Sequence, residues 1–147
     1  MSVKLSTGLR DYILLTSDFK AGVDGGVIYI YNGTPPATAD AALAGNTLLM
    51  IISDNATGAG INMDTAVASG VIAKAPGQTW RGQAVADGTG TFFRYAGLSD
   101  DGLLSTTEKR LQGTVGVVGA DLNFASAAFV TGQYKNIDTF NVTQPTA

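Results

Sequence analysis

The side chains able to do chemistry in this chain are mainly aspartates, with some hydroxyls and a few lysines. Eleven of the twelve acids are Asp, and only Glu108 is Glu. Histidine and cysteine are absent. Ser–His–Asp and Cys–His nucleophile systems therefore cannot be assembled. The commonest general base, zinc ligand and pH switch is missing as well. Disulfides and thiolate metal sites are excluded.

The remaining constellations read as structure. Asp100 and Asp101 are a candidate carboxylate pair for glycoside hydrolysis. Adjacent side chains in an extended stretch point apart, however, and Asp in a loop favours an Asx turn. Spacing selects no partner for Glu108. A Ser2–Lys4 pair would need a desolvated lysine, and it lies at a wet terminus. Gly88-Thr89-Gly90 lacks the third glycine of a dinucleotide loop and leads into a strand rather than a helix. Asp54-Asn55 and Asp100-Asp101 offer oxygen ligands for calcium but without the EF-hand spacing, so they read as solvated turns. Trp80 on an alternating strand reads as core rather than as a sugar platform. Three glycosylation sequons, at Asn32, Asn55 and Asn141, read as chance matches because no export signal accompanies them. Catalytic, cofactor-binding and metal-binding residues are thus all assigned as none, and no enzyme is expected.

Composition sets the frame for these side chains. The chain has 147 residues, the size of one ordinary domain. Such a chain buries roughly 68–70% of its unfolded surface and needs no staple. Its formal net charge is −3, and only 14% of residues are charged, against about 25% in an average protein. No basic run exists, so phosphate-driven nucleic-acid binding is not expected. Few charges beside 45% hydrophobic residues suit either a surface that a partner covers or a neutral surface rich in Ala and Gly. No apolar window is long enough for a membrane span, and the N-terminus lacks the apolar run of a signal peptide. Asp and the 19 glycines favour turns, which points to a turn-rich β protein.

The elements follow from periodicity. Ser6 or Thr7 caps a first helix in which Leu9, Tyr12 and Ile13 share one apolar face. Ser17 to Lys20 starts a second helical turn, which Asp24-Gly25-Gly26 ends. Val27–Tyr31 and Thr47–Ile52 are apolar strands. Thr38–Ala44 reads as a helical turn, and Asp54–Asn62 as a loop. Val71–Ala73 is a short strand. In Thr79–Asp87, Trp80, Gly82, Ala84 and Ala86 fall on one face and Arg81, Gln83, Val85 and Asp87 on the other. With Gly88-Thr89-Gly90 and Thr91–Tyr95 this segment predicts a hairpin. Lys109–Val118 is a strand with an internal glycine that marks a bulge. Asp121–Phe124 follows it, Val130–Lys135 is ambiguous, and Asn136–Val142 closes the fold. The expected class is all-β and mainly antiparallel, a β-sandwich or jelly roll of about 7–8 strands with a short N-terminal helix. The expected organisation is one domain over 1–147, with a helical arm over 1–24, the sandwich over 25–143 and a flexible tail over 144–147.

The ordered set of segments resembles a family of small structural proteins of tailed-bacteriophage virions. The resemblance runs through KLSTGLRD, VIYIYNGTPPATADAALAGNTLL, VIAKAPGQTWRG with FFRYA, GTVG with ADLNFASAAFVTGQ, and IDTFNVT. It is carried best by I-Y-x-G-x-x-P-x-x-A-D-A-A (Ile30 to Ala42) and G-x-x-W-x-G (Gly77 to Gly82). It implies a capsid decoration or cement protein, made in the bacterial host cytoplasm and placed on the capsid surface. The implied partners are the major capsid protein and copies of the chain itself, a trimer being favoured over a dimer, with no direct contact to nucleic acid or membrane. A tail or head–tail joining component is the second reading, and a carbohydrate-binding or host-attachment module the third. On the leading reading Leu5, Leu9, Tyr12 and Ile13 are the candidate interface residues, as part of an arm or docking helix.

Overall fold

The computed structural model describes residues 3–144. It is mostly antiparallel β with two short helices near the N-terminus, as an all-β sandwich requires. The helices are α1 (Thr7–Leu15) and α2 (Phe19–Val23). Each has the cap its sequence supplies. Ser6 accepts the Leu9 N–H, and Asp18 accepts the Ala21 N–H, so each fills one donor that a helix start leaves open.

The main sheet grows from the apolar runs. β2 (Val27–Tyr31) lies at its centre, between β3 (Leu48–Asp54) and β8 (Phe92–Ala96). β8 pairs with β9 (Leu111–Gly116), and β9 with the short edge β1 (Lys4–Leu5). On the other side β3 pairs with β6 (Trp80–Gln83), and β6 with the edge strand β12 (Tyr134–Ile137). β10 (Leu122–Asn123) joins β9 in parallel, whereas the other pairings are antiparallel. A three-stranded sheet holds β4 (Met63–Ala68), β5 (Val71–Lys74) and β13 (Asn141–Thr143), with β5 central. β7 (Gly88–Thr89) and β11 (Ala128–Phe129) form a small ribbon.

The core lies between one face of the main sheet and a cover made by the helices and the three-stranded sheet. Ile28, Ile30, Phe93, Tyr95 and Leu111 point into it from the central strands, and Leu9, Val23 and Met63 meet them from the cover. Trp80 is fully buried at its centre, edge-on to Tyr95 with centroids 5.9 Å apart and 5.6 Å from Phe140. Its indole N–H donates to Gln78 Oε1 at 3.3 Å, and the Tyr95 hydroxyl donates to the Ile61 carbonyl at 2.8 Å. The two buried polar handles of these rings are thus satisfied.

Five local expectations are corrected. Thr79–Asp87 does not pair with Thr91–Tyr95: its strand portion, β6, lies between β3 and β12, and β7 pairs with β11. Its face assignment holds, because Trp80, Gly82 and Ala84 are buried while Gln83, Val85 and Asp87 are exposed. Gly113 is no bulge. It pairs in register with Phe93, and a Cβ there would sit 2.6 Å from that ring, so the glycine makes room for an aromatic side chain. Thr38–Ala44 forms bends instead of a helical turn. The closing strand is two strands in different sheets, β12 and β13, because the chain crosses over to bury both Ile137 and Phe140. Residues 63–68, which the sequence left unassigned, form β4. Of the expected tail, residues 145–147 lie outside the described part; Gln144 donates its N–H to the Gly70 carbonyl at 2.8 Å.

Candidate contact surface

The N-terminal segment is built onto its own domain. The Ser6 hydroxyl donates to the Glu108 carbonyl at 2.7 Å and accepts the Arg110 N–H at 2.9 Å, which fixes the start of α1 against the strand entry before β9. Asp40 holds the same helix end, accepting from Thr7 N–H at 2.7 Å and from its hydroxyl at 2.6 Å. The Thr7 hydroxyl is the main cause that keeps the Asp40 carboxyl below its ordinary range.

The four candidate interface residues are divided by this docking. Leu9 is fully buried in the core and is closed to a partner. Tyr12 is half-buried, with the Lys109 ammonium 4.5 Å from its ring centroid. Leu5 and Ile13 are half-buried and line an apolar groove of about 500 Å³ together with Phe19, Val67, Ile72 and Val142. The leucines that α1 presents to solvent are instead Leu14 and Leu15, 84% and 90% exposed at its last turn.

A second exposed apolar element was not legible in the sequence. The loop between β8 and β9 carries Leu98, Leu103 and Leu104, all exposed; Leu103 is 62% and Leu104 72% exposed. Beneath it lies a buried arginine. Arg110 Nε donates to Asp100 Oδ2 at 2.6 Å, and its Nη2 donates to Asp100 Oδ1 and to the Leu103 carbonyl, both at 2.8 Å. Its Nη1 donates to the Ala39 and Asp40 carbonyls at 3.2 and 3.3 Å. The turn is closed by Asx bonds, from Gly102 N–H to Asp100 and from Leu103 N–H to Asp101. The loop is tied to the 32–47 segment by Leu43 N–H on the Gly102 carbonyl and Ser105 N–H on the Asp40 carbonyl.

A second buried arginine supports the same segment. Arg94 points from the outer face of β8, where Tyr29 and Gln112 are its register partners. Its Nε donates to Gln112 Oε1 at 2.9 Å and its Nη2 to the Ala41 carbonyl at 2.7 Å, while its Nη1 is buried without a partner. Burial lowers the Arg94 pKa, and the neighbouring Arg110 charge lowers it further. Burial pushes the Asp100 carboxyl up. The Arg110 hydrogen bond, the Gly102 N–H and the two guanidinium charges outweigh burial and hold it below the ordinary carboxylate range. Burial also pushes the Tyr31 hydroxyl up, to about 12.

Several polar groups that the sequence offered for chemistry are committed to structure here. Both oxygens of Asp100 are engaged by Arg110, and Asp54 Oδ1 accepts the Thr79 N–H at 3.2 Å. Lys4 Nζ donates to the Ala37 carbonyl, and Ser2 lies outside the described residues. Among the described residues no three acids gather where they would hold a metal ion, and no helix is long and apolar enough to cross a membrane. What the arrangement offers is a set of apolar side chains held rigidly at the surface. No protein-family model, curated protein or solved structure matches the chain.

Proposed function

We propose that this chain is a non-enzymatic structural protein of a tailed-phage virion, a decoration or cement protein that binds on or between major capsid proteins. The observation that carries the reading is the pair Leu103 and Leu104, exposed on a loop that a buried Arg110–Asp100 pair holds in place. An exposed leucine on a loose loop loses loop entropy when it binds. On a clamped loop that cost is already met by folding. Burying one leucine contributes about 1.5–3 kcal/mol, so two per copy give a modest contact. Repetition of the contact by particle symmetry and self-association, with a trimer favoured over a dimer, multiplies that contact through avidity. A low charge density keeps the desolvation cost of such a surface small. The family resemblance of the ordered segments supplies the particle as the setting.

Separation of purified heads from tails on a density gradient, followed by peptide mass spectrometry of each fraction, tests the reading. The chain is expected in the head fraction at a fixed ratio to the major capsid protein. Its presence in tails alone would transfer it to the tail or head–tail joint, and its absence from both would remove it from the virion.

A further inference from the structure

We propose that the apolar groove beside α1 receives the end of α1 from a neighbouring copy of this chain, with Leu14 and Leu15 seated in it. The inference rests on the self-association in the reading above and gives it a surface. The groove is lined by Leu5, Ile13, Phe19, Val67, Ile72 and Val142 and encloses about 500 Å³. A cavity of about 150 Å³ holds a benzene-sized group, so two leucine side chains fit. The chain's own Leu14 and Leu15 do not reach the groove and stand almost fully exposed at the last turn of the helix.

Charge selects the occupant. The charged residues at the rim are Asp18, Lys20 and Asp64. Lys20 is paired with Asp24. Asp18 and Asp64 each engage one oxygen with a backbone N–H, of Ala21 and Ala66 respectively. The open charge of the rim is therefore negative, and it fits an apolar occupant with a cation beside it. The exposed apolar pairs of this chain differ in that respect. Leu103 and Leu104 follow Asp101, and Val117 and Val118 precede Asp121, so each pair would bring an acid to the rim. Leu14 follows Arg10 by one helical turn. Arg10 is exposed; its Nη2 donates to the Thr7 hydroxyl at 3.0 Å, and a guanidinium has further N–H donors. With about 3.6 residues per turn, Arg10 and Leu14 lie on the flank of α1 next to Ile13, and Asp11 lies on the flank away from it. The helix end and the groove are different surfaces, so copies add head to tail and close into a ring.

Sedimentation velocity of the full chain up to about 1 mM, the effective concentration at which neighbours on a particle meet, tests this. Wild type is expected to self-associate. Leu14→Gln/Leu15→Gln removes the helix end, and Val67→Lys, at an exposed position of the groove, blocks the other side. Each is expected to melt as wild type does and to weaken self-association at least about tenfold. Mixed in equal amounts the two variants are expected to pair, because the intact helix end of one meets the intact groove of the other. Arg10→Glu is expected to weaken the contact as well, and Asp64→Lys in the same chain to restore it. A monomer at every concentration, association unchanged in either variant, or variants that do not pair on mixing would overturn the proposal. A monomer that still occupies heads at a fixed ratio would overturn this contact alone and leave the particle reading in place.

Discussion

Arg110 and Asp100 form a two-pronged pair with donor–acceptor distances of 2.6 and 2.8 Å, and almost no part of either side chain reaches solvent. Removal of one partner leaves a buried charge uncompensated. Asp100→Asn is therefore expected to destabilise the fold by about 3 kcal/mol. The measurement is urea unfolding at neutral pH; a loss within about 0.5 kcal/mol, the size of a surface substitution, would show that the pair holds nothing in place.

The same pair sets a pH dependence. The folded Asp100 carboxyl lies below its ordinary value of 3.8. A depressed acid contributes stability that is fully present above the unfolded value and is lost as pH falls through the folded one. The stability difference between wild type and Asp100→Asn is thus expected to be constant from neutral pH down to about pH 5, and to shrink below about pH 4. Thermal unfolding across that range checks it. A difference that grows on acidification would reverse the sign of the account.

Gly113→Ala places a methyl 2.6 Å from the buried Phe93 ring. The ring cannot yield freely, because it packs edge-on against Phe140 with centroids 5.7 Å apart. Overpacking of this kind costs about 1–3 kcal/mol. Denaturant midpoints of the two proteins give the value, and no change would mean that Gly113 is free to accept a side chain.

Ala56 adopts φ +60° directly after Asn55 at φ +53°, in a turn that the Thr57 N–H closes on the Asp54 carbonyl at 3.1 Å. The left-handed region costs an L-residue about 1–2 kcal/mol, whereas glycine enters it freely. Glycine also loses about 0.4–1 kcal/mol of extra chain entropy on folding. Ala56→Gly is expected to stabilise by the difference, about 0.5–1 kcal/mol. A lower melting temperature would contradict it.

Much of the framework was legible because it is local. Val27–Tyr31 is a run of apolar strand formers and lies at the centre of the main sheet. Ser6 caps α1 as its position suggested, and Asp100 and Asp101 make the Asx bonds that their type favours. The alternation from Trp80 to Asp87 gave the correct faces but not the partners, since pairing with β3 and β12 is settled by contacts distant in sequence. The Gly88-Thr89-Gly90 turn signal looked like a hairpin for the same reason.

The candidate contact surface was the least legible part. Leu9 had the right spacing for an apolar face, and spacing cannot say whether that face meets the core or a partner. Leu103 and Leu104 fall in Gly97 to Thr107, a stretch whose two aspartates, two serines and two threonines read as a polar loop. A local hint of buried charge beside the clamp was Arg94, a charged residue in a strand that is otherwise apolar (FFRYA). Its meaning depends on the carbonyls of the 32–47 segment, which only the fold brings near.

The claim that this chain acts through a rigid apolar contact on a virus particle is tested most directly by titrating particles that lack the chain. Wild type and the double variant Leu103→Asp/Leu104→Asp are added and the bound fraction is measured by sedimentation. Both leucines are exposed, so the variant is expected to unfold within about 0.5 kcal/mol of wild type. Wild type should saturate the particles at a fixed stoichiometry, and the folded variant should bind at least about a hundredfold more weakly. Equal binding of the two proteins would contradict the account.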